Sequence, residues 1–337
     1  VTLKEKEISR YYNNNKEDYQ QQASRDIDYV VFNVSPSVDD DVLTRKNLQD
    51  LVIDFKNQQD CISMARRNSD NRESRFAFSN EDNLGDPEFT KLFNAEIGTV
   101  IGPYLFSEGV YRIAKLMSSE KRPDSVQARH ILITPTEQVG IDSVQNIIAD
   151  LKKQINNGKD FSDLAQKYSQ DQQSAIKGGD LGWFSEGVMV DEFNEVCFTS
   201  KKKELNVVNS QYGTHLIQVT NISRKSKKVK IVYIDRNVEA STETFNEYYS
   251  SAAQFAGKIL NMGVSFDSLV SLDNLVKRTD DNIQNDRQNI NGLSNSREIV
   301  RWANKASLGD VSEVFQLDNS YVVAYLKNIN KEGAIPL

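Results

Sequence analysis

Apolar residues recur along the chain in a pattern that repeats three times. The segment KDFSDLAQKYS (159–169) sets Phe161, Leu164, Ala165 and Tyr168 on one helical face and offers Asp160 as N-cap. QDCISMARRNS (59–69) matches it 100 residues earlier, and VSFDSLVS (264–271) repeats its core after it. Short β-branched and aromatic runs, DYVVFNV (28–34), RHILIT (129–134) and KIVYID (230–235), begin 101 residues apart and predict strands. Strand–turn–strand patterns close each repeat at 98–116, 203–219 and 309–326.

The pattern predicts an α+β protein of three tandem units, each an antiparallel sheet packed with helices. The expected divisions are a lead-in helix and linker at 1–24, then units at 25–118, 126–222 and 228–330. The joins SSEKRPDS (118–125) and SRKSKKVK (223–230) are polar and read as solvated linkers. RTDDNIQNDRQNINGLSNS (278–296) reads as a long mobile loop in the third unit.

Composition narrows the function. The chain has 337 residues and a formal net charge of −7, which argues against a nucleic-acid or anionic-membrane partner. No apolar run approaches the roughly 20 residues needed to span a bilayer. The sequence begins at Val1 with no signal-peptide pattern, as expected of a processed or cloned fragment that has lost its targeting segment. The two cysteines, Cys61 and Cys197, form no CxxC motif. They read as buried apolar groups, with a bridge between them left open.

The only histidines, His130 and His215, both fall in the middle unit, at strand positions of its first and last strands. Neighbouring antiparallel strands would let the imidazoles meet on one face. No third histidine, cysteine spacing or carboxylate cluster completes a metal site, and no serine sits in a nucleophile elbow. No cofactor is expected. GGDLGWFSEGVMVDEFNEVCF (178–198) puts four glycines ahead of Met189 and Phe193, which are spaced along one helix face. Taken alone, that pair is ordinary core packing.

ARHILI, DFSDLAQKYSQD, GGDLGWFSEGVMVDEFNEVCF and SQYGTHLIQV, in this order over about residues 126–222, together resemble a parvulin-type peptidyl-prolyl cis-trans isomerase. Only the middle unit carries the full motif set. The tandem arrangement resembles periplasmic foldases of the SurA and PpiD kind, so the outer units are expected to be degenerate parvulin-like domains. The resemblance implies that His130 and His215 organise the catalytic face. It places Asp171 opposite the isomerising carbonyl, and Ser210 in hydrogen-bond contact with the histidines. It makes Leu181, Met189 and Phe193 the pocket for the proline ring, with the glycines delivering Leu181 to it.

Two departures stand out. The loop TPTEQVGID after the first strand lacks the arginines of phospho-directed parvulins. KKKEL replaces the glycine–glutamate that commonly precedes the third strand. The implied partners are unfolded or nascent proline-containing polypeptides of the cell envelope. The implied location is the periplasm, anchored to the inner membrane through a segment upstream of this chain. The alternative is a holdase chaperone with little isomerase activity.

Overall fold

The structure, a computed structural model, describes residues 5–72, 76–136 and 140–335. The chain opens with α1 (Glu5–Asn14), β1 (Gln20–Gln21), β2 (Ser24–Asn33), α2 (Val38–Asn57), α3 (Cys61–Asn68), β3 (Phe78–Ser79), α4 (Thr90–Phe93), β4 (Val100–Ser107) and β5 (Val110–Pro123). The middle contains β6 (Ser125–Ile133), α5 (Ile141–Asn156), α6 (Phe161–Tyr168), α7 (Gln172–Ala175), β7 (Asp180–Ser185), α8 (Asp191–Thr199), β8 (Leu205–Ser210) and β9 (Gly213–Ile222). The last part holds β10 (Lys225–Asn237), α9 (Thr242–Met262), α10 (Phe266–Leu272), β11 (Arg278–Ile283), α11 (Arg297–Lys305), β12 (Phe315–Leu317), β13 (Ser320–Asn330) and β14 (Gly333–Ala334).

The three repeated helix segments are α3, α6 and α10, and each starts at a side-chain cap. Asp60 accepts from the Ser63 amide at 3.0 Å, Asp160 from Ser162 at 2.7 Å and Ser265 from Ser268 at 3.2 Å. These caps satisfy amides that the first helical turn leaves free.

The chain divides into two compact units, Thr44–Asn237 and Val1–Leu43 with Val238–Leu337. The first contains two four-stranded antiparallel sheets, ordered β7-β6-β9-β8 and β3-β10-β5-β4. The second contains one, ordered β11-β2-β13-β12, and a small β1–β14 pair. In the first unit, α5 and α6 cover one face of the β6–β9 sheet, burying Ile131, Ile133 and Leu216 with Val144, Ile148, Leu151 and Phe161. The other face packs on α8 through Ala128, Ile217 and Val219 against Phe193, Cys197 and Phe198.

The outer sheets correct the expected divisions at 25–118 and 228–330. Strand β2 pairs with β13 and β11, not with β5, and β10 pairs with β5 and β3, not with β13. Each outer sheet is thus completed by the opening strand of the other expected outer unit. Both β2 and β10 bury residues on both faces, so their apolar pattern specifies a central strand without specifying its partner.

The expected linkers are strand. Residues 118–123 continue β5 and pair with 225–230 of β10, with Lys225 opposite Pro123 and Lys228 opposite Glu120. Beyond them β6 pairs with β9, with Val126 opposite Ile222. The amides of Asp124 and Ser223 bond across the junction to Arg224 O and Ser125 O at 3.2 and 3.1 Å. One two-stranded ribbon therefore runs through both sheets of the unit, because opposed charges and paired backbone turn a polar stretch into a ladder.

The expected loop at 278–296 is also corrected. Residues 278–283 form β11, and the rest folds back on Asp280, whose side chain is fully buried. Asp280 accepts from the Asn291 amide at 2.7 Å and from Arg287 at 3.0 Å, while Ile290 and Leu293 join the core. Cys61 and Cys197 are both buried and free. Among the described residues, no helix is long and apolar enough to cross a membrane.

A chain ending at residue 223 should keep slow amide exchange at Ile131 and Leu216 but lose it at Ile113, Ala114 and Leu116, because β5 loses its central partner. Protected amides in β5 after that truncation would show that the sheet closes without β10.

Candidate active site

Register brings the two histidines together. His130 on β6 faces Ile217, and His215 on β9 faces Leu132, so the imidazoles form a diagonal pair on the α8 face. Their rings stack at 16° with centroids 5.4 Å apart, and the Phe193 ring stands edge-on to both at 5.6 and 5.2 Å. Both histidines are buried.

The segment after α6 delivers Asp171. Gln170 N donates to Leu132 O at 2.8 Å, and Ser169 Oγ accepts from Leu132 N at 3.1 Å. Asp171 precedes α7 but does not cap it through its side chain. Its carboxylate turns to His130 Nε2, 2.9 Å away, and to Ser174 Oγ, which donates at 2.5 Å.

Close approach explains two of the glycines. Gly179 has φ +82° and its carbonyl accepts from His130 N at 2.9 Å; a Cβ there would lie 2.4 Å from His130 O. Gly178 has φ +69°, and a Cβ would lie 1.9 Å from Ser162 Oγ. Only glycine lets the chain press against β6 and α6 here and continue into β7 with Leu181.

The contacts fix the direction of every proton. A carboxylate only accepts, so His130 donates from Nε2 to Asp171. His130 Nδ1 then accepts from His215 Nδ1, 3.2 Å away. His215 Nε2 in turn accepts from Ser210 Oγ at 2.7 Å, and that oxygen takes the Tyr212 amide at 3.1 Å. Donation runs from Tyr212 N through Ser210, His215 and His130 to Asp171, with both imidazoles neutral. Burial lowers the His130 pKa against the pull of Asp171. Burial, reinforced by the neighbouring His130, lowers that of His215 to about 4. Burial opposes ionisation of Asp171, but hydrogen bonds from Ser174 and His130 outweigh it and hold the carboxyl below its ordinary value.

Against this chain of hydrogen bonds lies an open cleft of about 550 Å³. Leu181, Met189 and Phe193 line it, together with His130, His215 and Asp171. All seven sequence-predicted residues are therefore gathered in one place, with Ser210 behind His215. Among the described residues, Asp171 is the sole charged side chain of the lining, and no lysine or arginine is among it. Sequence reasoning missed Leu132, Gln170, Val188 and Val190 in the lining, and Ser174 beneath it. Tyr212 also borders the cleft. Ser174 left a usable signal: it lies three residues after Asp171 at the start of a helix, where a hydroxyl turns back to that carboxylate. The departure at 201–205 shows in the backbone, where Lys203 adopts φ +69°.

Cys197 lies on the buried face of α8, and burial pushes its thiol pKa up to about 12, so it offers no thiolate nucleophile. Among the described residues, no group of three or more His, Cys, Asp or Glu could hold a metal.

The profile of the PPIC-type PPIase domain matches residues 111–225, the stretch that holds this sheet, the diagonal imidazole pair and the cleft. A second PPIC-type PPIase profile matches residues 3–130. Among individual proteins, the chain resembles the chaperone SurA of Methylococcus capsulatus, 41% identical over 118 residues, covering 34% of this chain and 26% of that protein. It also resembles the foldase protein PrsA of Oceanobacillus iheyensis, 40% identical over 111 residues, covering 33% of this chain and 34% of that protein. A crystal structure of PrsA from Bacillus subtilis aligns at 37% identity over 29% of this chain and 35% of that one, with a TM-score of 0.25. The chain thus spans only 26% and 34% of the two curated relatives' lengths.

His215 stays neutral in the folded chain down to pH about 4, whereas an unfolded histidine takes up a proton near 6.5. Unfolding therefore binds protons between these values, and stability must fall as pH drops through that window. The expected loss is on the order of 3 kcal/mol from pH 7 to pH 4, read by urea unfolding. His215→Asn should flatten the slope; an unchanged slope would remove His215 as its source.

Proposed function

We propose that this chain is a peptidyl-prolyl cis-trans isomerase that acts on proline-containing segments of unfolded polypeptides. One observation carries the reading: an open apolar cleft borders a buried, neutral imidazole pair and a single reachable carboxylate. Rotation about an X–Pro bond meets a barrier of about 18–20 kcal/mol and breaks no covalent bond. The protein must therefore favour the twisted amide over the planar one.

The cleft supports that task in three ways. Leu181 and Met189, both partly buried, and the ring of Phe193 form a socket for the pyrrolidine ring. The ring is held while the preceding carbonyl turns. A planar amide places partial negative charge on its oxygen, and the twisted amide loses it. Asp171, whose side chain is 28% exposed at the cleft, penalises the planar charge distribution. The neutral imidazoles fix Asp171 in place and transfer no proton in the cycle. With no cation among the described residues of the lining, selectivity for a phosphorylated residue before proline is not part of this reading.

The SurA and PrsA relatives support unfolded envelope proteins as clients and a periplasmic location. Anchoring through an upstream segment remains part of the same proposal. The holdase alternative has one observation in its favour. The β5–β10 sheet carries a second cleft of about 340 Å³, lined by Phe76, Phe89, Phe106 and Tyr233. Aromatic side chains of this kind hold unfolded segments without chemistry.

A protease-coupled or NMR exchange assay on a proline-containing peptide tests the enzyme reading. Met189→Ala should raise KM severalfold, and Phe193→Ala should lower kcat/KM by about tenfold or more. Wild-type kcat/KM in the Phe193→Ala protein would refute the socket. Phe106→Ala should leave isomerisation intact and reduce suppression of client aggregation.

A further inference from the structure

A second cluster of buried charge lies beside the cleft and takes no part in the hydrogen-bond chain described above. Arg122, near the end of β5 in the neighbouring sheet, has a side chain only 3% exposed. Its Nε donates to Glu186 Oε1 at 2.8 Å, and a terminal nitrogen lies 2.7 Å from the same oxygen. The same guanidinium reaches both oxygens of Glu195 at 3.2 and 3.1 Å. It also bonds Glu120 at 3.1 Å and stacks on the Phe78 ring at 4.2 Å. Lys228 of β10 meets the other Glu186 oxygen at 3.5 Å. The Glu186 side chain is 2% exposed.

The placement of the two glutamates gives the cluster its meaning. Glu186 follows β7, and Glu195 lies within α8. Between them runs the segment that carries Val188, Met189 and Val190 along the rim of the cleft. One planar guanidinium thus grips the chain on both sides of that segment, with paired contacts to each carboxylate. Gly187 is pressed in the same direction: its φ is +85°, and a Cβ there would lie 2.9 Å from Ala77 Cβ. Its amide donates to Asn194 Oδ1 at 2.8 Å, closing the segment onto α8.

We propose that Arg122 is a positioning residue for the proline cleft, and that the neighbouring sheet thereby helps to set how tightly the catalytic sheet binds proline. It touches no reacting atom. It holds Met189 at the rim by fixing both ends of a short segment, and side chains two to three residues from a fixed backbone point have little room to drift. The catalytic part of this inference rests on the isomerase reading above, whereas the placement of the segment does not.

The test uses the full chain with Arg122→Gln, and with Glu195→Gln as a milder variant that loosens only the partly exposed side of the grip. Lys115→Met is the control, since it removes a buried ammonium bonded to the Phe55, Lys56 and Gln58 carbonyls at 3.0, 2.8 and 3.0 Å, in the neighbouring sheet and outside both clefts. Arg122→Gln should raise KM for a proline peptide about tenfold with kcat within about twofold, and Glu195→Gln should move KM in the same direction by less. Lys115→Met should lower Tm and leave KM unchanged. Amide exchange in the free protein supplies a readout independent of catalysis. The Gly187 and Asn194 amides should exchange at least about tenfold faster in Arg122→Gln, while that of Leu216 keeps its protection. Wild-type KM in folded Arg122→Gln, or an equal KM rise in Lys115→Met, overturns the positioning role. If the wild-type chain does not isomerise, the isomerase reading fails, and unchanged exchange at Gly187 and Asn194 would then overturn the clamp separately.

Discussion

Two uncharged imidazoles, 3.2 Å apart across β6 and β9, are the contact on which the site depends. A proton added to either would set a cation against a buried neighbour, with only one carboxylate nearby to offset it. The surroundings remove that option. Phe193 packs edge-on against both rings, Ser210 offers a hydroxyl that can donate, and Asp171 takes the one outward-directed proton. Every polar atom in the chain of contacts is satisfied while both rings stay neutral, which is the condition for burying them at modest cost. The network is therefore a rigid scaffold for Asp171 and Phe193, two of the groups that line the cleft.

The scaffold is held from both sides of the sheet. Helices α5 and α6 press Ile131 and Leu216 from one face, and α8 presses Ile217 and Val219 from the other. Beyond the sheet, β6 and β9 do not end at a flexible hinge. They continue through Asp124 and Ser223 into β5 and β10, so the strands that carry the histidines are extensions of a second sheet. Because β10 is a central strand of that second sheet, the strand exchange and the site share one structural element.

What could be read from the sequence follows from which interactions are local. The capped helices at Asp60, Asp160 and Ser265 were legible, because a cap and its apolar face lie within ten residues of each other. His130, Asp171, Ser210 and His215 were legible through the ordered motifs of a family, and their gathering in space follows from the register of β6 and β9. The pairing of β2 with β13 was not legible. Its alternation demands two buried faces and is equally satisfied by any central position. The polar run at 223–230 misled for a similar reason: its lysines answer Glu120 and Glu186, which lie about 40 to 110 residues away. Ser174 and Arg122 act through side-chain contacts that no periodicity encodes.

The size of the cleft's target bears on why the site is built into a larger assembly. Burying the three ring methylenes of proline contributes about 2.4 kcal/mol at roughly 0.8 kcal/mol each. That is well short of the 4.1 kcal/mol that corresponds to millimolar affinity. With no cation and one carboxylate among the described residues of the lining, the cleft adds little recognition of flanking side chains. In the function proposed above, a polypeptide must therefore be held by other surfaces while its proline samples the socket. The aromatic cleft around Phe89, Phe106 and Tyr233 is such a surface, and it sits on the sheet that shares the ribbon with the catalytic one. Isomerase and holdase readings then describe two halves of one act, in which weak, unselective capture of the ring is tolerable because the chain carrying it is already tethered.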